Sequence, residues 1–311
     1  MLRGETKCSV HLDSGLQVDL RVVAPESFGA ALHYFTGSKM HNIAVRDRAK
    51  RGGLRINEYG VFDEETEVRI GGATEEDIFG SVGLPYIPPE LRENQGEIEA
   101  AEANGLPELV EEADLRGDLH LHTDATDGKA TLREMARAAE DLGYEYIAVT
   151  DHSKALTVTM GLDEARLAEQ TRQVRDLEQE LGSIRILTGI EVDILPDGKL
   201  DLTVEALGEL DWVIASVHSH FNLTAQEQTD RILGALRTGM VDCLGHPSGR
   251  ILGHRDPYPV DLDKIIKVAG ELGIALELNG WPDRLDLDDR HCRQAKEVGV
   301  PVVVNTDAHA T

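Results

Sequence analysis

Seven short apolar runs follow residue 115, and the stretches between them are long enough to form helices. The runs are "GDLHLH", "YEYIAVT", "IRILTGIEV", "DWVIASVHSH", "MVDCLGH", "IALELN" and "VPVVVN". Between the first two, "TLREMARAAEDLG" places Leu132, Met135, Ala136 and Ala139 on one helix face, and Gly143 suits the helix C-terminus. Repeated β-α units form a mostly parallel sheet covered by helices. Seven such units favour a closed barrel over an open sheet.

Nearly every one of these runs ends in a side chain that can bind a metal ion. The candidates are His120, His122, Asp127, His152, Glu191, His218, His246, Asp307 and His309. In α/β barrels the C-terminal ends of the strands surround one mouth, which carries the active site. Histidine and carboxylate ligands without cysteine suit zinc, manganese or iron. One first-row ion takes roughly four to six ligands, so this set predicts two or three ions.

Other polar residues near these strand ends have a competing structural explanation. A single strand-end histidine is more often a hydrogen-bonded residue than a ligand, so the prediction depends on the coincidence over several strands. Asp127 and Asp124 also suit a turn. Asp193 and His220 are open between a supporting role and simple exposure to solvent. Five histidines without ligand partners at useful spacing are left out: His11, His33, His41, His254 and His291.

The charge of the chain is strongly acidic but unevenly distributed. The net charge is -26, yet Lys and Arg outnumber Asp and Glu by nine to six in residues 1–59. Residues 60–114 carry two basic and sixteen acidic side chains, and residues 115–311 carry twenty and thirty-five. The acidic middle contains the chain breakers of "GLPYIPPELRE", which is typical of a connector. We therefore expect a domain boundary near Leu115.

Cysteine usage and hydropathy indicate a cytoplasmic protein. Cys8, Cys243 and Cys292 are widely separated and form no C-x-x-C pair, so neither a disulfide framework nor a thiolate zinc site is expected. No apolar run approaches the roughly 18 to 20 residues of a membrane span. The N-terminus also lacks the order of basic, apolar and small residues that defines a signal peptide. We predict no membrane contact.

The motifs "HLHTDATDG", "TDH", "GIEVD", "VHSH", "GHP" and "NTDAH", in this order, resemble those of the PHP (polymerase and histidinol phosphatase) domain family. The resemblance implies a distorted seven-stranded barrel that holds up to three divalent ions and hydrolyses phosphoesters. It also implies three ligand groups around Glu191 as a bridge. These are His120, His122, Glu191 and Asp307 for the first ion, Glu191, His218 and His246 for the second, and Asp127, His152 and His309 for the third.

The first sixty residues resemble the end of the palm and the thumb of a family X DNA polymerase, through "VDLRV", "YFTGS" and "INEYG". The resemblance implies that Asp19 is the third catalytic carboxylate of the palm. It assigns contacts with nucleotide or DNA to six further residues: Tyr34, Phe35, Gly37, Asn42, Arg46 and Glu58. Both halves together resemble the bacterial and archaeal PolX family, in which a family X polymerase precedes a PHP domain.

The resemblance implies three segments. Residues 1–63 are the palm end and thumb, residues 64–114 are the acidic remainder of the thumb and a linker, and residues 115–311 are the PHP domain. The fold class is thus α/β, a (β/α)7 barrel preceded by a small α+β segment. Relative to the family, the lyase-like domain, fingers, paired palm aspartates and a closing C-terminal segment are missing, so we expect a fragment of a longer product. Asp19 alone cannot hold the magnesium ions of the parent polymerase, and no primer extension is expected.

The sequence predicts a metal-dependent phosphodiesterase that acts on DNA 3′ ends. The resemblance implies 3′→5′ exonuclease activity, with 3′-phosphatase or abasic-site cleavage as further activities. A metal-bound water is the expected nucleophile, and manganese is expected to favour activity, with zinc and iron as alternatives. Arg250 and Arg284 are candidate phosphate clamps or solvated loop residues. Two other functions stay open: a small-molecule phosphatase of histidinol-phosphatase type, and a metal-bound but inactive DNA-binding or scaffold module.

Overall fold

The computed structural model of the protein describes residues 2–3 and 6–311. The chain divides into two compact units, Met1–Leu109 and Val110–Thr311. Within the described residues, none of the helices combines the length and the apolar composition that crossing a membrane requires.

In its described residues, the first unit contains two antiparallel three-stranded sheets and four α-helices. Its strands are β1 (Leu2–Arg3), β2 (Lys7–His11), β3 (Gln17–Arg21), β4 (Leu54–Asn57), β5 (Gly60–Asp63) and β6 (Arg69–Gly71), paired in the orders β1-β2-β3 and β4-β5-β6. Its helices are α1 (Phe28–Thr36), α2 (Lys39–Arg51), α3 (Glu75–Ser81) and α4 (Glu97–Glu102).

The core of the first unit forms where α1, α2 and α3 pack on the second sheet. Val45, Val61, Ile78 and Phe79 are fully buried there. Helix α1 approaches the backbone before α3 so closely that a Cβ on Gly29 would lie 2.0 Å from the Thr74 carbonyl carbon. Only glycine fits at this helix contact. The acidic segment that follows β6 is therefore part of a packed unit, since α3 contributes to this core.

The second unit is a ring of parallel strands with helices between them. Its strands are β7 (Gly117–Leu121), β8 (Tyr146–Val149), β9 (Arg185–Asp193), β10 (Trp212–Ser216), β11 (Cys243–Leu244), β12 (Ala275–Asn279) and β13 (Val302–Asn305). Its helices are α5 (Leu132–Asp141), α6 (Glu164–Leu181), α7 (Val204–Leu207), α8 (Ala225–Leu236), α9 (Leu262–Leu272) and α10 (Asp289–Val298).

The seven strands follow one another in chain order, from β7 to β13, and the first and last strands meet. Leu121 and Ala308 form a parallel bridge, and the His122 amide donates to the Ala308 carbonyl at 2.8 Å. The predicted seven-stranded α/β barrel preceded by a small α+β unit is thus confirmed. Each of the seven predicted apolar runs contributes one strand, although β11 is only two residues long.

Local sequence signals explain why the helices begin and end where they do. Thr131 accepts from the Glu134 amide at 3.3 Å and forms a reciprocal capping box at the start of α5. Met135 and Ala136 on that helix are buried, as the periodicity predicts. At the end of α6, Gly182 adopts φ +65°, the left-handed conformation in which glycine is unstrained. The helices cover the outside of the barrel, so the loops after the strands are free to form the mouth.

Candidate metal centre

The structure brings all nine predicted ligand side chains to one mouth of the barrel. His120 and Glu191 lie on β7 and β9, and the other seven lie in the loops that follow the strands. Three groups have ligand atoms within 4.8 Å of one another. These are His122, Asp127, His152 and His309; His120, His122 and Asp307; and His152, Glu191 and His218.

Glu191 is the centre of the cluster. Its Oε1 lies 2.8 Å from Nε2 of His246 and 3.2 Å from Nε2 of His218, and its Oε2 lies 2.8 Å from Nδ1 of His152. The side chain is 1% exposed. Burial by itself raises the pKa of a carboxyl, but His218 and His120 outweigh burial and hold the pKa of Glu191 well below its usual range. A carboxylate that bridges two metal ions has to lie between their histidine ligands, and Glu191 lies between His152, His218 and His246.

Asp307 and Asp127 hold the two sides of the cluster. Oδ1 of Asp307 lies 3.1 Å from Nε2 of His122 and 3.6 Å from Nε2 of His120. Oδ2 of Asp127 lies 3.4 Å from Nε2 of His309 and 3.5 Å from Nε2 of His152. The backbone of Asp307 has φ +55°, which is uncommon for residues other than glycine and occurs preferentially at functional sites. Each carboxylate thus faces two imidazoles.

The protonation of the histidines follows the carboxylates around them. Burial lowers the pKa of His152 and His218, but Glu191 outweighs burial and raises the pKa of these groups to about 9 and about 10. Burial also lowers the pKa of His120, but the carboxylates around it, Glu277 first, outweigh burial and hold the pKa well above its usual value. Burial dominates at His122 and lowers its pKa. The cluster therefore concentrates negative charge that attracts cations.

Several buried polar atoms of the cluster have no hydrogen-bond partner, and this is the observation that tests the fit to metal ions. Nε2 of His120 and Nδ1 of His122 and His246 make no hydrogen bond, and Nδ1 of His152 and Oε2 of Glu191, although 2.8 Å apart, are not aligned for one. Buried polar atoms are otherwise almost always hydrogen-bonded, because leaving them unpaired is costly. Imidazole and carboxylate donors without thiolate match zinc, manganese and iron. The residues present fit a site for divalent ions.

Two family models match the chain in successive segments. Residues 31–93 match the DNA polymerase beta thumb, and residues 118–280 match the PHP domain. The chain belongs to the PHP domain family. The order of thumb and PHP unit confirms the arrangement expected from the resemblance to PolX.

Curated relatives agree with this assignment. The DNA polymerase/3′-5′ exonuclease PolX of Bacillus subtilis (strain 168) is 45% identical over 308 residues, which cover 98% of this chain and 54% of that protein. The chain thus spans about half the length of this relative. A probable phosphatase of Acetivibrio thermocellus is 31% identical over 201 residues, covering 62% of this chain and 78% of the relative.

A solved structure also resembles the chain at low identity. It is histidinol phosphate phosphatase from Lactococcus lactis in complex with zinc, L-histidinol and phosphate. The two are 19% identical, with a TM-score of 0.46, over 63% of this chain and 86% of that one.

Glu277 is a buried partner of the PHP cluster that the sequence analysis missed. Its Oε1 lies 2.6 Å from Nδ1 of His120, and its Oε2 accepts from the His246 amide at 2.7 Å. Asn305 donates to the same carboxylate at 2.9 Å. Nε2 of His120 is thereby directed into the cluster, as in carboxylate–histidine–metal triads. The signal in the sequence is a single charged residue inside the apolar run "IALELN".

The other polar residues near the strand ends take different positions in the PHP unit. Asp193 supports the cluster, because its Oδ1 lies 3.4 Å from Nδ1 of His218. His220 and Asp124 are exposed. Asp151 is buried and accepts from Thr123 and other residues of the loop after β7, so it orders that loop.

The two candidate phosphate clamps lie in different surroundings. Nη2 of Arg284 is 3.6 Å from Oδ2 of Asp307, so this guanidinium borders the cluster. Arg250 instead donates through its guanidinium to the Leu285 carbonyl and through its amide to Asp286 at 3.0 Å. It lines a cavity of about 280 Å³ with residues that include Ser248 and Asp286. Only the position of Arg284 favours contact with a phosphate bound at the cluster.

In the first unit, Met1–Leu109, here called the thumb unit, the candidate residues mostly contact their sequence neighbours, and three of them, Tyr34, Asn42 and Arg46, line one small cavity. Asp19 is exposed on β3, and its Oδ2 lies 2.8 Å from Nζ of Lys7. The hydrogen bond from Lys7 is the main cause that lowers the pKa of Asp19. Tyr34 and Phe35 pack edge to face, with ring centroids 5.0 Å apart. Gly37, directly after α1, has φ +80°, a backbone conformation that glycine adopts without strain.

The polar thumb candidates have local hydrogen bonds. Asn42 donates to the Tyr34 carbonyl at 2.9 Å, and Arg46 donates to the Asn42 carbonyl at 3.2 Å. Glu58 is half-buried in the turn between β4 and β5. Tyr34, Asn42 and Arg46 line this small cavity together with residues that include His33. These contacts order the surface on which the resemblance places nucleotide and DNA contacts.

Proposed function

We propose that this chain is a metal-dependent phosphodiesterase that removes nucleotides from DNA 3′ ends. The observation that carries the proposal is the cluster of nine histidine, aspartate and glutamate side chains around the buried Glu191, in a chain whose other unit matches a polymerase thumb. The PolX relative named a polymerase and 3′-5′ exonuclease supports a DNA substrate. Cleavage of 3′-phosphates or abasic sites belongs to the same proposal as further substrates of one centre.

The ligand assignment follows the groups stated for the family. His120, His122, Glu191 and Asp307 would hold one ion, and Glu191 would also serve a second with His218 and His246. The third group is Asp127, His152 and His309. Divalent ions bound there supply an activated water nucleophile, with its pKa lowered toward ~7, and neutralise charge at phosphorus. Manganese is our expectation for the active enzyme, with zinc or iron as alternatives.

The side chains around the cluster would position both ligands and substrate. Glu277 fixes the ring of His120, and Asp193 faces the ring of His218. Arg284 offers a guanidinium at the edge of the cluster, where it would bind a phosphate oxygen. Burial of Glu191 and His120 keeps bulk water away from the centre and strengthens electrostatic interactions there.

An end-labelled nuclease assay tests this function. A 5′-labelled single-stranded oligonucleotide with manganese should be shortened stepwise from its 3′ end, and His218→Asn should lower the rate strongly. His220→Asn is the matched control, because His220 is an exposed histidine two residues further, and asparagine tolerates its φ of +55°. Binding of the oligonucleotide without cleavage at saturating manganese would support the scaffold function instead.

A small-molecule phosphatase is the second candidate. It is favoured by relatives named probable phosphatases, one of which the chain covers over 78% of its length. Hydrolysis of histidinol phosphate by the same manganese-loaded protein, with an intact oligonucleotide, would decide for this candidate. The thumb unit has no role in such a reaction, and this favours the nuclease.

A further inference from the structure

The loop after β12 leaves a large aromatic side chain in the open. Trp281 is 46% exposed, although the loop around it is well anchored. The Trp281 amide donates to the Asn279 side chain at 3.0 Å, and its carbonyl accepts from the Arg284 amide at 2.8 Å. The neighbouring Gly280 amide donates to the Asn305 carbonyl at 2.7 Å. The exposure of the indole is thus a property of an ordered turn.

The indole lines a cavity that opens directly beside the metal cluster. This cavity of about 400 Å³ is lined by Ile251, Trp281, Asp283, Arg284, Asp307 and His309. Asp307 and His309 are also members of the proposed ligand groups. Its volume lies within the range of small-molecule sites. A group bound in this cavity would therefore lie next to a phosphate bound at the cluster.

Arg284 gives the cavity a cationic edge. Its side chain is 14% exposed, Nη1 has no hydrogen-bond partner, and the nearest carboxylate oxygens lie 3.6 and 3.7 Å away on Asp307 and Asp286. A guanidinium with one unpartnered nitrogen and only long ion pairs, beside an exposed indole, favours a ligand with both an anionic and a planar part. A nucleotide unit has this combination, with a phosphodiester next to a flat base.

We propose that this cavity is a nucleobase subsite, in which the base of the 3′-terminal nucleotide stacks on Trp281 while its phosphodiester lies between Arg284 and the cluster. The assignment rests on the proposed nuclease function and adds the group that the enzyme recognises at the end of the strand. Stacking on an indole tolerates any base, because every base has a π face. The subsite selects a nucleotide over an abasic sugar without reading sequence.

A binding experiment tests the subsite without catalysis. The chain has two tryptophans, Trp212 and Trp281, so Trp212→Phe leaves Trp281 as the only indole reporter. Titration of this variant with deoxyadenosine monophosphate should quench its fluorescence, and deoxyribose 5-phosphate at the same concentrations should not. Absence of quenching by the nucleotide, or equal quenching by the base-free sugar phosphate, would overturn the assignment.

A kinetic experiment links the subsite to the reaction. Trp281→Ala should raise KM about 5- to 150-fold on an oligonucleotide with a normal 3′ end, which is the range of base stacking on an aromatic side chain. The same oligonucleotide with a 3′-terminal tetrahydrofuran residue should show no change, and Trp281→Phe should retain most of the affinity. Equal losses on both substrates would refute the stacking role. If the wild type cleaves neither oligonucleotide, the nuclease function fails, whereas the fluorescence titration still decides about the subsite.

Discussion

Both units of the molecule bury histidines, but the surroundings of these histidines differ. In the thumb unit, His33 is 2% exposed, and its neighbours are Phe79 and the cationic side chain of Arg92. Burial, together with Arg92, lowers the pKa of His33 to about 3, so the ring is neutral. In the PHP unit, His120 is completely buried but lies against Glu277, Asp307 and Glu191, whose combined effect outweighs burial and raises its pKa.

His41 is an intermediate case. Its Nδ1 lies 2.7 Å from Oε1 of Glu97, yet burial still dominates and lowers its pKa. One carboxylate is thus too few to reverse the effect of burial at this position. Several carboxylates can therefore reverse the effect of burial on the pKa of a histidine, as at His120, whereas burial with one carboxylate or none leaves the pKa lowered, as at His41 and His33.

Removal of the central carboxylate should have the largest effect. Glu191→Ala is expected to reduce bound metal by more than one equivalent and to lower hydrolysis by more than about 100-fold, beyond the loss typical of outer partners. Metal analysis of the purified variant, together with the end-labelled nuclease assay, measures both. Glu205→Ala, at an exposed glutamate of α7, is the control. Full metal content in the Glu191 variant would disprove the bridging assignment.

Replacement of Glu277, the carboxylate that contacts His120, should have the next largest effect. Glu277→Gln preserves shape but places an amide group against either His120 or the His246 amide, which both need an acceptor. We expect metal affinity to fall by about 10- to 100-fold. Competition with a chelator measures this affinity without turnover, and Glu271→Gln on the exposed face of α9 is the matched control. Unchanged affinity in a folded Glu277 variant would reduce this residue to a packing role.

Glu277 also shows where sequence reasoning ended. Ligand candidates such as His120 and Asp307 were predictable, because parallel strands bring their C-terminal ends to one mouth. The partner of His120 was not, since it lies 157 residues away along the chain on the interior of β12. Periodicity identifies which strands exist and where they end, but it does not show which two side chains of distant strands face each other.

The thumb unit shows the same limit for charged residues. Arg48 lies in the basic stretch "RDRAKR" of α2, but its Nε donates to the Val82 carbonyl at 2.6 Å and its guanidinium pairs with Glu102. These partners belong to α4 and to the segment after α3, and neither α2 nor its charge pattern indicates them. Folding therefore leaves Arg48 half-buried with its charge paired, whereas Lys50 and Arg51 are exposed.

Acid should destabilise the thumb unit through His33. Its folded pKa of about 3 lies below the unfolded value of 6.5, so its contribution to stability is complete above pH 6.5 and is lost as the pH falls from 6.5 toward 3. Between pH 7 and pH 5 this amounts to about 2 kcal/mol. His33→Leu should remove this part of the pH dependence.

Hydrogen exchange of peptides from α1 and α2 measures this effect, after division by the intrinsic rate of the unfolded peptide at each pH. His11→Gln, at an exposed histidine of β2, should keep the wild-type pH dependence. If the His33 variant loses protection toward acid as steeply as the wild type, another group controls the acid response of this unit.

The smallest effect should come from the two exposed basic residues at the end of α2, and it should depend on substrate length. Lys50 and Arg51 can each neutralise a DNA phosphate, but they also lie at a helix C-terminus, where cations stabilise the helix by about 0.3–1 kcal/mol. Lys50→Gln combined with Arg51→Gln should weaken binding of long single-stranded DNA and reduce the slope of log affinity against log salt by about 1.4, since each contact contributes about 0.7. Hydrolysis of a dinucleotide should stay unchanged, because its single phosphodiester would be bound at the metal centre and leaves no further phosphate for Lys50 and Arg51. The paired change Lys264→Gln and Lys267→Gln, on the exposed face of α9, tests whether any loss of surface charge has this effect. An unchanged salt slope would mean that these side chains only stabilise their helix, whereas an equal loss on the dinucleotide would mean that the substitutions disturb the fold.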